Sequence, residues 1–336
     1  MTTPATTTAA VMGAGSWGTA FALVLADAGN DVRIWGRRPE LCEAINATGQ
    51  NPDYLPGIDL PDRITATSDP AEALAGADVV VLAVPSQQLR ANLTEWGAHI
   101  GERAVMVSLM KGVELGTHKR MSEVIAELTG AGPERIAVVS GPNLAKEIAR
   151  REPAASVVAC EDPAVAEHLQ RLCHSEAFRP YTITDVIGAE LGGTTKNIIG
   201  LAVGVCQGLG FGDNTKASVI TRGLAETARL GHAIGADPMT FAGLAGMGDL
   251  VATCSSPLSR NRTFGEKLGQ GLSVEEVAAQ TRQVAEGVKS CQSVAELAAL
   301  HGVEMPIVDH VAALIAGDMT PEQLVKALIS RQARPE

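Results

Sequence analysis

The sequence predicts an α/β fold in which a doubly wound sheet is followed by an all-helical domain. Continuous apolar runs such as 77–84 alternate with helical stretches in the first half, as expected for strands that are buried on both faces of a sheet. From about Asp185 onward, long helical stretches replace this alternation. We therefore expect two domains, at residues 9–187 and 188–330, after a disordered tail at residues 1–8.

A glycine-rich turn joins the first strand to the first helix. The turn Gly13-Ala14-Gly15-Ser16-Trp17-Gly18 follows one apolar run and opens another. Gly13 permits the tight turn, Gly15 lets the backbone approach a pyrophosphate, and Gly18 lets helix and strand pack closely. The helix N-terminus adds N–H groups and a partial positive charge. A turn without a ligand is the alternative, but a second strand at 31–36 completes the pattern and predicts a Rossmann-type dinucleotide site.

Two arginines follow the second strand. A site for NAD usually carries Asp or Glu at this place, where the carboxylate binds the ribose 2′-hydroxyl. This chain has Arg37 and Arg38 instead, and guanidinium groups suit a 2′-phosphate. The pair therefore favours NADPH, with NADH as the alternative cofactor. A solvated loop with two ordinary surface arginines is the other interpretation, and Glu40 lies close by in the sequence.

Several strand ends are expected to meet. Further strands are predicted at 104–109, 135–140 and 155–159, with a helix at 163–173. In doubly wound sheets, ligands bind outside the carboxyl ends of the strands. The Gly13 turn, Arg37, Pro85, Lys111 and Gly141 all follow strand ends, so we expect them to converge on one crevice.

Composition excludes several classes of function. The chain has 336 residues, 46% of them hydrophobic, and a formal net charge of −11, which argues against a general nucleic-acid binder. No run approaches the roughly 20 apolar residues of a membrane-spanning helix. The six cysteines form no CxxC pair and the seven histidines no HxxxH or HExxH arrangement. We therefore expect reduced thiols, a cytoplasmic location and no metal site.

The helical half contains two polar residues in apolar surroundings. Helical stretches are predicted at 189–209, 216–234 and 274–279. Lys196 precedes a strongly apolar helical run, and burial would bring its pKa toward the range useful for proton transfer. Asp249, in a turn of small residues, is a candidate partner. A lysine that reaches solvent from a helix end, and an aspartate that caps a helix, are the plainer alternatives.

A third polar segment lies further along. Ser259, Arg260 and Asn261 combine a capping serine with a guanidinium at a helix start, and such a helix start can bind a phosphate. An ordinary capped surface helix is the alternative.

Together these segments resemble the bacterial-type NAD(P)-dependent sn-glycerol-3-phosphate dehydrogenases. The matching pieces stand in family order: GAGSWGTA (13–20), WGRR (35–38), AVPS (83–86), KGVE (111–114), GPNLAKEI (141–148), ELGGTTKNI (190–198), GMGDL (246–250), TCSSPLSRNRTFG (253–265) and VAEG (284–287). The resemblance implies a Rossmann domain joined to a helical domain like that of 6-phosphogluconate dehydrogenases. It also implies reversible reduction of dihydroxyacetone phosphate to sn-glycerol 3-phosphate, a precursor for phospholipid biosynthesis. A homodimer is left open.

The resemblance also assigns residues. Lys196 aligns with the family's proton acceptor or donor, and Lys111 with a lysine that touches both substrate and nicotinamide. Substrate positions align with Lys111, Gly141, Asn143, Lys196, Asp249, Ser259, Arg260 and Asn261. Cofactor positions align with Gly13, Gly15, Ser16, Trp17, Gly18, Arg37, Arg38, Lys111, Ala145, Arg260, Val284 and Glu286. Asn143 stands where the family usually has Ser or Thr.

Two other functions fit parts of the pattern. A 3-hydroxyacid or ketopantoate reductase of the same architecture would recognise a carboxylate in place of a phosphate. A regulator that binds NAD(P)H without catalysis would need neither Lys111 nor Lys196, and the sequence shows no basic segment for reading DNA.

Overall fold

The computed structural model describes residues 7–280 and 285–329. The chain divides into two compact units. One contains the chain up to Met110 together with Arg120–Ala189, and the other contains Lys111–Lys119 together with the chain from Glu190 onward. Most of the predicted tail, residues 1–6, lies outside the described residues, and the first strand begins at Thr8.

The first unit is built on a sheet. Its strands are β1 (Thr8–Met12), β2 (Asp31–Trp35), β3 (Gln50–Asn51), β4 (Leu55–Asp59), β5 (Ile64–Thr67), β6 (Val79–Leu82), β7 (Val105–Ser108), β8 (Ile136–Ser140), β9 (Ala154–Cys160) and β10 (Phe178–Ile183). Among the described residues, eight of them form one sheet in the order β10-β9-β8-β7-β6-β1-β2-β5, and β3 pairs with β4 separately. The strands β1, β2, β5, β6, β7 and β8 run parallel to one another, so their carboxyl ends lie along one edge.

Helices cover both faces of this sheet. They are α1 (Ser16–Asp27), α2 (Pro39–Thr48), α3 (Pro70–Leu74), α4 (Leu89–Trp96), α5 (Met121–Thr129), α6 (Ala145–Ala149) and α7 (Pro163–Cys173). Alternate strand residues enter different cores: Val81 packs with Phe21 of α1, whereas Leu82 packs with Trp96 of α4 and Ile125 of α5. The central strands β1, β6, β7 and β8 are buried on both sides, so their sequences are almost entirely apolar. The predicted doubly wound sheet is confirmed.

Two strands at one end of the sheet run opposite to the others. β9 runs antiparallel to β8, and β10 is parallel to β9. The connecting helix α6 has five residues and spans about 7.5 Å, less than the roughly 17 Å length of a five-residue strand. The helix therefore does not return the chain to the opposite edge, and β9 starts at the edge where β8 ends.

The second unit is helical. Its helices are α8 (Val186–Gly208), α9 (Asp213–Ala233), α10 (Asp249–Ser255), α11 (Arg260–Gly269), α12 (Val274–Ala279), α13 (Glu286–Leu300), α14 (Pro306–Ala316) and α15 (Pro321–Ile329). The part of α8 from Glu190 onward belongs to this unit. Every residue from 191 to 206 in α8 is buried, so this helix forms the centre of the unit. The predicted all-helical second half is confirmed. Across the described ranges 7–280 and 285–329, no helix combines the length and apolar character needed to cross a membrane.

Glycines let α8 and α11 approach closely. Gly204 of α8 lies against the backbone of Arg262, and Gly265 of α11 lies against the backbone of Leu201. A Cβ at either glycine would overlap a carbonyl oxygen of the facing helix. Gly200 and Gly208 continue the row on α8 at four-residue spacing, which keeps one face of the helix free of side chains.

Candidate active site

The predicted dinucleotide turn follows β1 and leads into α1. Gly13 has a φ of +141°, and a Cβ there would lie 2.5 Å from the carbonyl oxygen of Ala83, just beyond β6. A Cβ on Gly18 would overlap the carbonyl oxygen of Gly13. Nothing lies within 4 Å of the place where a Cβ of Gly15 would be. The turn is therefore tight where it packs on the sheet and open at Gly15, which fits the approach of a pyrophosphate.

Ser16 and Trp17 begin α1. The Ser16 hydroxyl donates to the carbonyl oxygen of Tyr54, at 3.2 Å. Trp17 packs edge-on against Phe21, and its indole Nε1–H is buried with no hydrogen-bond partner among the described residues. A buried N–H without a partner is rare, because leaving it unpaired is costly. This orphan donor next to the glycine turn also fits the binding of a polar ligand.

The two arginines after β2 have different surroundings. Arg38 is paired with Asp53, with 2.5 Å between Nη2 and Oδ2. Arg37 is exposed and forms no ion pair with any residue the structure describes. Since an anionic ligand has to compete with Asp53 for Arg38, Arg37 is the more available of the two guanidinium groups.

The segment after β8 brings three of the predicted residues together. Gly141 also has a φ of +141°, and it packs against Ser156 of β9. Asn143 donates from Nδ2 to the Ser156 hydroxyl, which in turn donates to the carbonyl oxygen of Ser140. The Oδ1 atom of Asn143 is buried and has no partner within the described part of the chain. Ala145 is the first residue of α6.

In the second unit, two lysines share one carboxylate. The ammonium of Lys196 donates to Oδ1 of Asp249 at 2.6 Å, and that of Lys111 donates to Oδ2 at 2.5 Å. The Asp249 side chain is 1% exposed, and the two lysine side chains are 11% and 13% exposed. One buried carboxylate thus accepts hydrogen bonds from two ammonium groups.

The local structure of α8 and α10 explains why Lys196 and Asp249 are in contact. Lys196 lies in the middle of α8, so the interpretation as a lysine at a helix end is wrong. Asp249 is the first residue of α10, after a single π-helical turn at Leu244–Gly248. The N-cap of α10 is Gly248, so the alternative interpretation of Asp249 as a helix cap is wrong. A Cβ on Gly192 of α8 would overlap the backbone of this turn. The absence of a side chain at Gly192 therefore lets the turn bring Asp249 close to Lys196.

Burial sets the protonation of Lys196. Desolvation lowers the pKa of Lys196, Asp249 opposes this effect and the positive charge of Lys111 adds to it, and together they bring the pKa to about 8. An amine with this pKa can both donate and accept a proton near neutral pH.

Thr253 is a member of this cluster that the sequence did not reveal. Its hydroxyl accepts a hydrogen bond from Lys196 Nζ at 2.7 Å. Thr253 lies one helical turn after Asp249 on α10, so the two side chains share a face. The four-residue spacing of Asp249 and Thr253 was the available signal.

The third predicted segment occupies the start of α11. Ser259 is the N-cap, and its hydroxyl accepts from the Arg262 N–H at 3.3 Å, while Arg260 is exposed. Asn261 is buried between two partners: its Nδ2 donates to Asn197 Oδ1, and its Oδ1 accepts from the N–H of Gly287. Asn197 is a second residue that the sequence left without a role.

The remaining predicted residues divide between the units. Glu286 is the first residue of α13, and Val284 lies outside the described residues. The predicted convergence of Lys111 with the strand ends of the first unit stays a prediction. Within residues 7–280 and 285–329, no group of three or more His, Cys, Asp or Glu side chains is arranged to hold a metal ion.

Comparison with known proteins identifies the family. The family model for the N-terminus of NAD-dependent glycerol-3-phosphate dehydrogenase matches residues 8–166, and the model for its C-terminus matches residues 185–326. The chain is 64% identical over 328 residues to glycerol-3-phosphate dehydrogenase [NAD(P)+] of Streptomyces griseus subsp. griseus, covering 98% of both chains. It is 63% identical over 331 residues to the enzyme of the same name from Thermobifida fusca, again covering 98% of both.

Solved structures agree with these sequence matches. The crystal structure of glycerol-3-phosphate dehydrogenase from Coxiella burnetii superimposes with a TM-score of 0.93 at 38% identity, covering 98% of this chain and 100% of that one. A ketopantoate reductase from Ralstonia eutropha JMP134 shares only the fold, with a TM-score of 0.61 at 19% identity over 96% of this chain and 99% of that one. The family predicted from the sequence motifs is confirmed. The chain therefore belongs to the NAD-dependent glycerol-3-phosphate dehydrogenase family.

Proposed function

We propose that this chain reduces dihydroxyacetone phosphate to sn-glycerol 3-phosphate with NAD(P)H, and so supplies the precursor of glycerophospholipids. The observation that carries the proposal is the buried cluster of Lys196, Asp249 and Lys111. It combines a proton donor of pKa about 8 with a second positive charge in a site from which most water is excluded.

The lysines have separate roles. When bound, the nicotinamide supplies the hydride that adds to the ketone carbon. Lys196 donates its proton to the ketone oxygen as negative charge develops there, becomes a neutral amine, and regains a proton from solvent. Lys111 keeps its charge and stabilises the developing alkoxide. Asp249 accepts from both ammonium groups and holds them in place. In the oxidation direction, the neutral amine of Lys196 accepts the hydroxyl proton.

The substrate phosphate is assigned to the start of α11. The N-terminus of this ten-residue helix offers N–H groups and positive potential, and the guanidinium of Arg260, the first residue of the helix, can add charge-assisted hydrogen bonds. Asn261 contributes by holding Asn197 and Gly287 together, since both ends of its amide are engaged in those bonds. Asn143 offers its unpartnered Oδ1 as an acceptor for a substrate hydroxyl.

The cofactor is assigned to the Gly13 turn. Gly13 and Gly18 form the tight packing, Gly15 leaves room for the pyrophosphate, and Ser16 and Trp17 begin the helix that faces it. The exposed Arg37 supports NADPH as the favoured cofactor, with NADH as the alternative. The other assigned cofactor positions are Arg38, Lys111, Ala145, Arg260 and Glu286, together with Val284 outside the described residues.

One assay separates this proposal from its rivals. The purified chain is given NADPH or NADH with dihydroxyacetone phosphate, and in parallel with ketopantoate or a 3-oxoacid, while cofactor oxidation is followed by absorbance. We expect turnover with dihydroxyacetone phosphate alone. Turnover with the carboxylate substrates would indicate a hydroxyacid or ketoacid reductase, and cofactor binding without turnover would indicate a regulator.

Location and assembly complete the proposal. Six buried cysteines, all free thiols, support a reducing compartment such as the cytoplasm. A homodimer stays a prediction, and sedimentation equilibrium of the purified chain tests it.

A further inference from the structure

The segment Lys111–Lys119 belongs to the second unit although helices and strands of the first unit flank it in the sequence. Lys111, its first residue, reaches Asp249. Near its other end, His118 Nε2 lies 2.8 Å from Glu296 Oε2 of α13. The segment is thus attached to the helices of its own unit at two separate places.

The backbone around His118 is held in an uncommon conformation. His118 has a φ of +57°, in the left-handed region that few non-glycine residues adopt. Its N–H donates to the carbonyl oxygen of Glu114 at 3.0 Å, and the Glu114 N–H donates to the carbonyl oxygen of Lys119 at 2.9 Å. The Thr117 hydroxyl donates to Glu114 Oε2. These bonds close the segment on itself and fix the direction in which the His118 ring leaves the backbone.

Glu296 is itself oriented by a neighbour. Gln292, one helical turn earlier on α13, donates from Nε2 to Glu296 Oε1 at 2.9 Å, so the two carboxylate oxygens face different partners. Hydrogen bonds from Gln292 and His118 lower the pKa of Glu296, and the carboxylate is therefore ionised at neutral pH. Oε2 remains directed at the imidazole.

We propose that His118 is a positioning residue for the reduction: by binding Glu296, it fixes the segment that delivers Lys111 to the substrate oxygen. This inference rests on the proposed function of Lys111. A lysine ammonium sits on a flexible four-carbon stem, so its position depends on how firmly its backbone is held. Helix α13 has 15 residues and buries one face, including Val294 and Leu297, and His118 attaches the segment to it.

The test uses variants of the full chain at both sides of the contact. His118→Gly removes the imidazole and tolerates the positive φ, so it leaves the backbone unstrained. Glu296→Ala removes the other partner and leaves the sequence of the Lys111–Lys119 segment unaltered. Each is expected to lower kcat for dihydroxyacetone phosphate by up to about fivefold, the upper end for a partly exposed hydrogen-bonded pair, with unchanged NADPH affinity and a melting temperature close to that of the wild type. The double variant should lose no more than either single one.

A Lys111→Met background distinguishes positioning from general damage. If His118 acts through Lys111, adding His118→Gly to Lys111→Met should cause no further loss of kcat. Asp213→Ala is the matched control, because it removes an exposed ion pair with Lys216 in the same unit and should leave kcat unchanged.

The possible failures can be told apart. Wild-type kcat in His118→Gly and Glu296→Ala, with a slow Lys111→Met, would overturn the positioning role and leave the proposed function intact. Additive losses with Lys111→Met would overturn it as well. Wild-type kcat in Lys111→Met would overturn the assigned role of Lys111 itself. Should His118→Gly fail to fold, Glu296→Ala decides the question alone.

Discussion

Lys196 donates hydrogen bonds to Asp249 and Thr253 from the middle of a helix that is buried on every side. Lys196→Met keeps the approximate length of the side chain and removes both the proton and the charge. Loss of a general acid typically costs about 10²–10⁴ in rate, so we expect kcat to fall at least that far. NADPH affinity should hardly change, because its assigned phosphate site is the Gly13 turn.

Stopped-flow turnover and NADPH titration of the folded variant check this expectation. Turnover within a few-fold of the wild-type value would remove Lys196 from the chemistry and give the proton to Lys111. Loss of cofactor binding together with turnover would point to a structural lysine.

The lowered pKa of Lys196 predicts how the rate depends on pH. The amine must be protonated to reduce the ketone, so kcat/KM for dihydroxyacetone phosphate should be level below about pH 8 and fall above it. Oxidation of sn-glycerol 3-phosphate needs the neutral amine and should rise through the same pH. Because Asp249 raises this pKa, Asp249→Asn should move both transitions to lower pH. Profiles with the same direction for both reactions would contradict the assignment.

Arg37 decides the cofactor preference if it binds a 2′-phosphate. Arg37→Asp should raise the KM for NADPH by about 10- to 100-fold, since hydrogen bonds to charged groups contribute about 1.5–3 kcal/mol, and it should change the KM for NADH much less. Arg63→Asp, on the surface of the same unit, makes the same change in charge and serves as the control. Equal effects of Arg37→Asp on both cofactors would exclude the 2′-phosphate contact.

Among the elements, those with local signals were predictable. Helix α7 begins and ends at the predicted residues, because Asp162 caps it and Pro163 starts it, and neither signal depends on distant contacts. The antiparallel direction of β9 was not predictable, since it depends on the edge of the sheet at which the chain emerges from the short helix α6. The burial of Lys196 in mid-helix likewise depends on Gly192 and the π-helical turn that packs there.

The contact between α8 and α11 provides a test at this level. In an open helix, replacing glycine with alanine stabilises by about 0.5–1 kcal/mol. At Gly204 the added methyl group would overlap the Arg262 backbone, and overpacking of this kind costs about 1–3 kcal/mol. Gly204→Ala should therefore lower the urea midpoint, whereas Gly101→Ala, with no atom near the new methyl group, should leave it almost unchanged. An unchanged midpoint in Gly204→Ala would contradict the close packing.

For the molecule as a whole, burial governs thiol chemistry. Desolvation raises the pKa of all six cysteines, to about 12 for Cys173 and Cys254. Because the thiolate is the reactive form, the native chain should react slowly with a thiol reagent such as iodoacetamide, and all six cysteines should react in guanidinium chloride. Mass spectrometry counts the adducts, with glutathione as a reactive control. Rapid modification of any cysteine in the native chain would contradict its described burial.

The comparisons confirm the family, and the structure places Lys111 and Lys196 on Asp249, while their catalytic role stays a prediction. The family could be predicted because each of its motifs is a short run of consecutive residues, which the sequence shows directly. The sharing of Asp249 by two lysines from distant parts of the sequence could not be seen, nor could the pairing of Arg38 with Asp53. Such pairs depend on tertiary structure, which a single sequence does not report.

The membership of Lys111–Lys119 in the second unit limits how this protein can be divided or recombined. A gene fragment that encodes only the chain from Glu190 onward would omit Lys111, and Asp249 would face one lysine where it now faces two. Chimeras made by exchanging helical halves between relatives are affected too. After a single crossover near residue 189, Lys111 and His118 would come from one parent and their partners Asp249 and Glu296 from the other. The second unit is therefore discontinuous in sequence, and an exchange that keeps both contacts within one parent has to carry the nine-residue segment along with the helices.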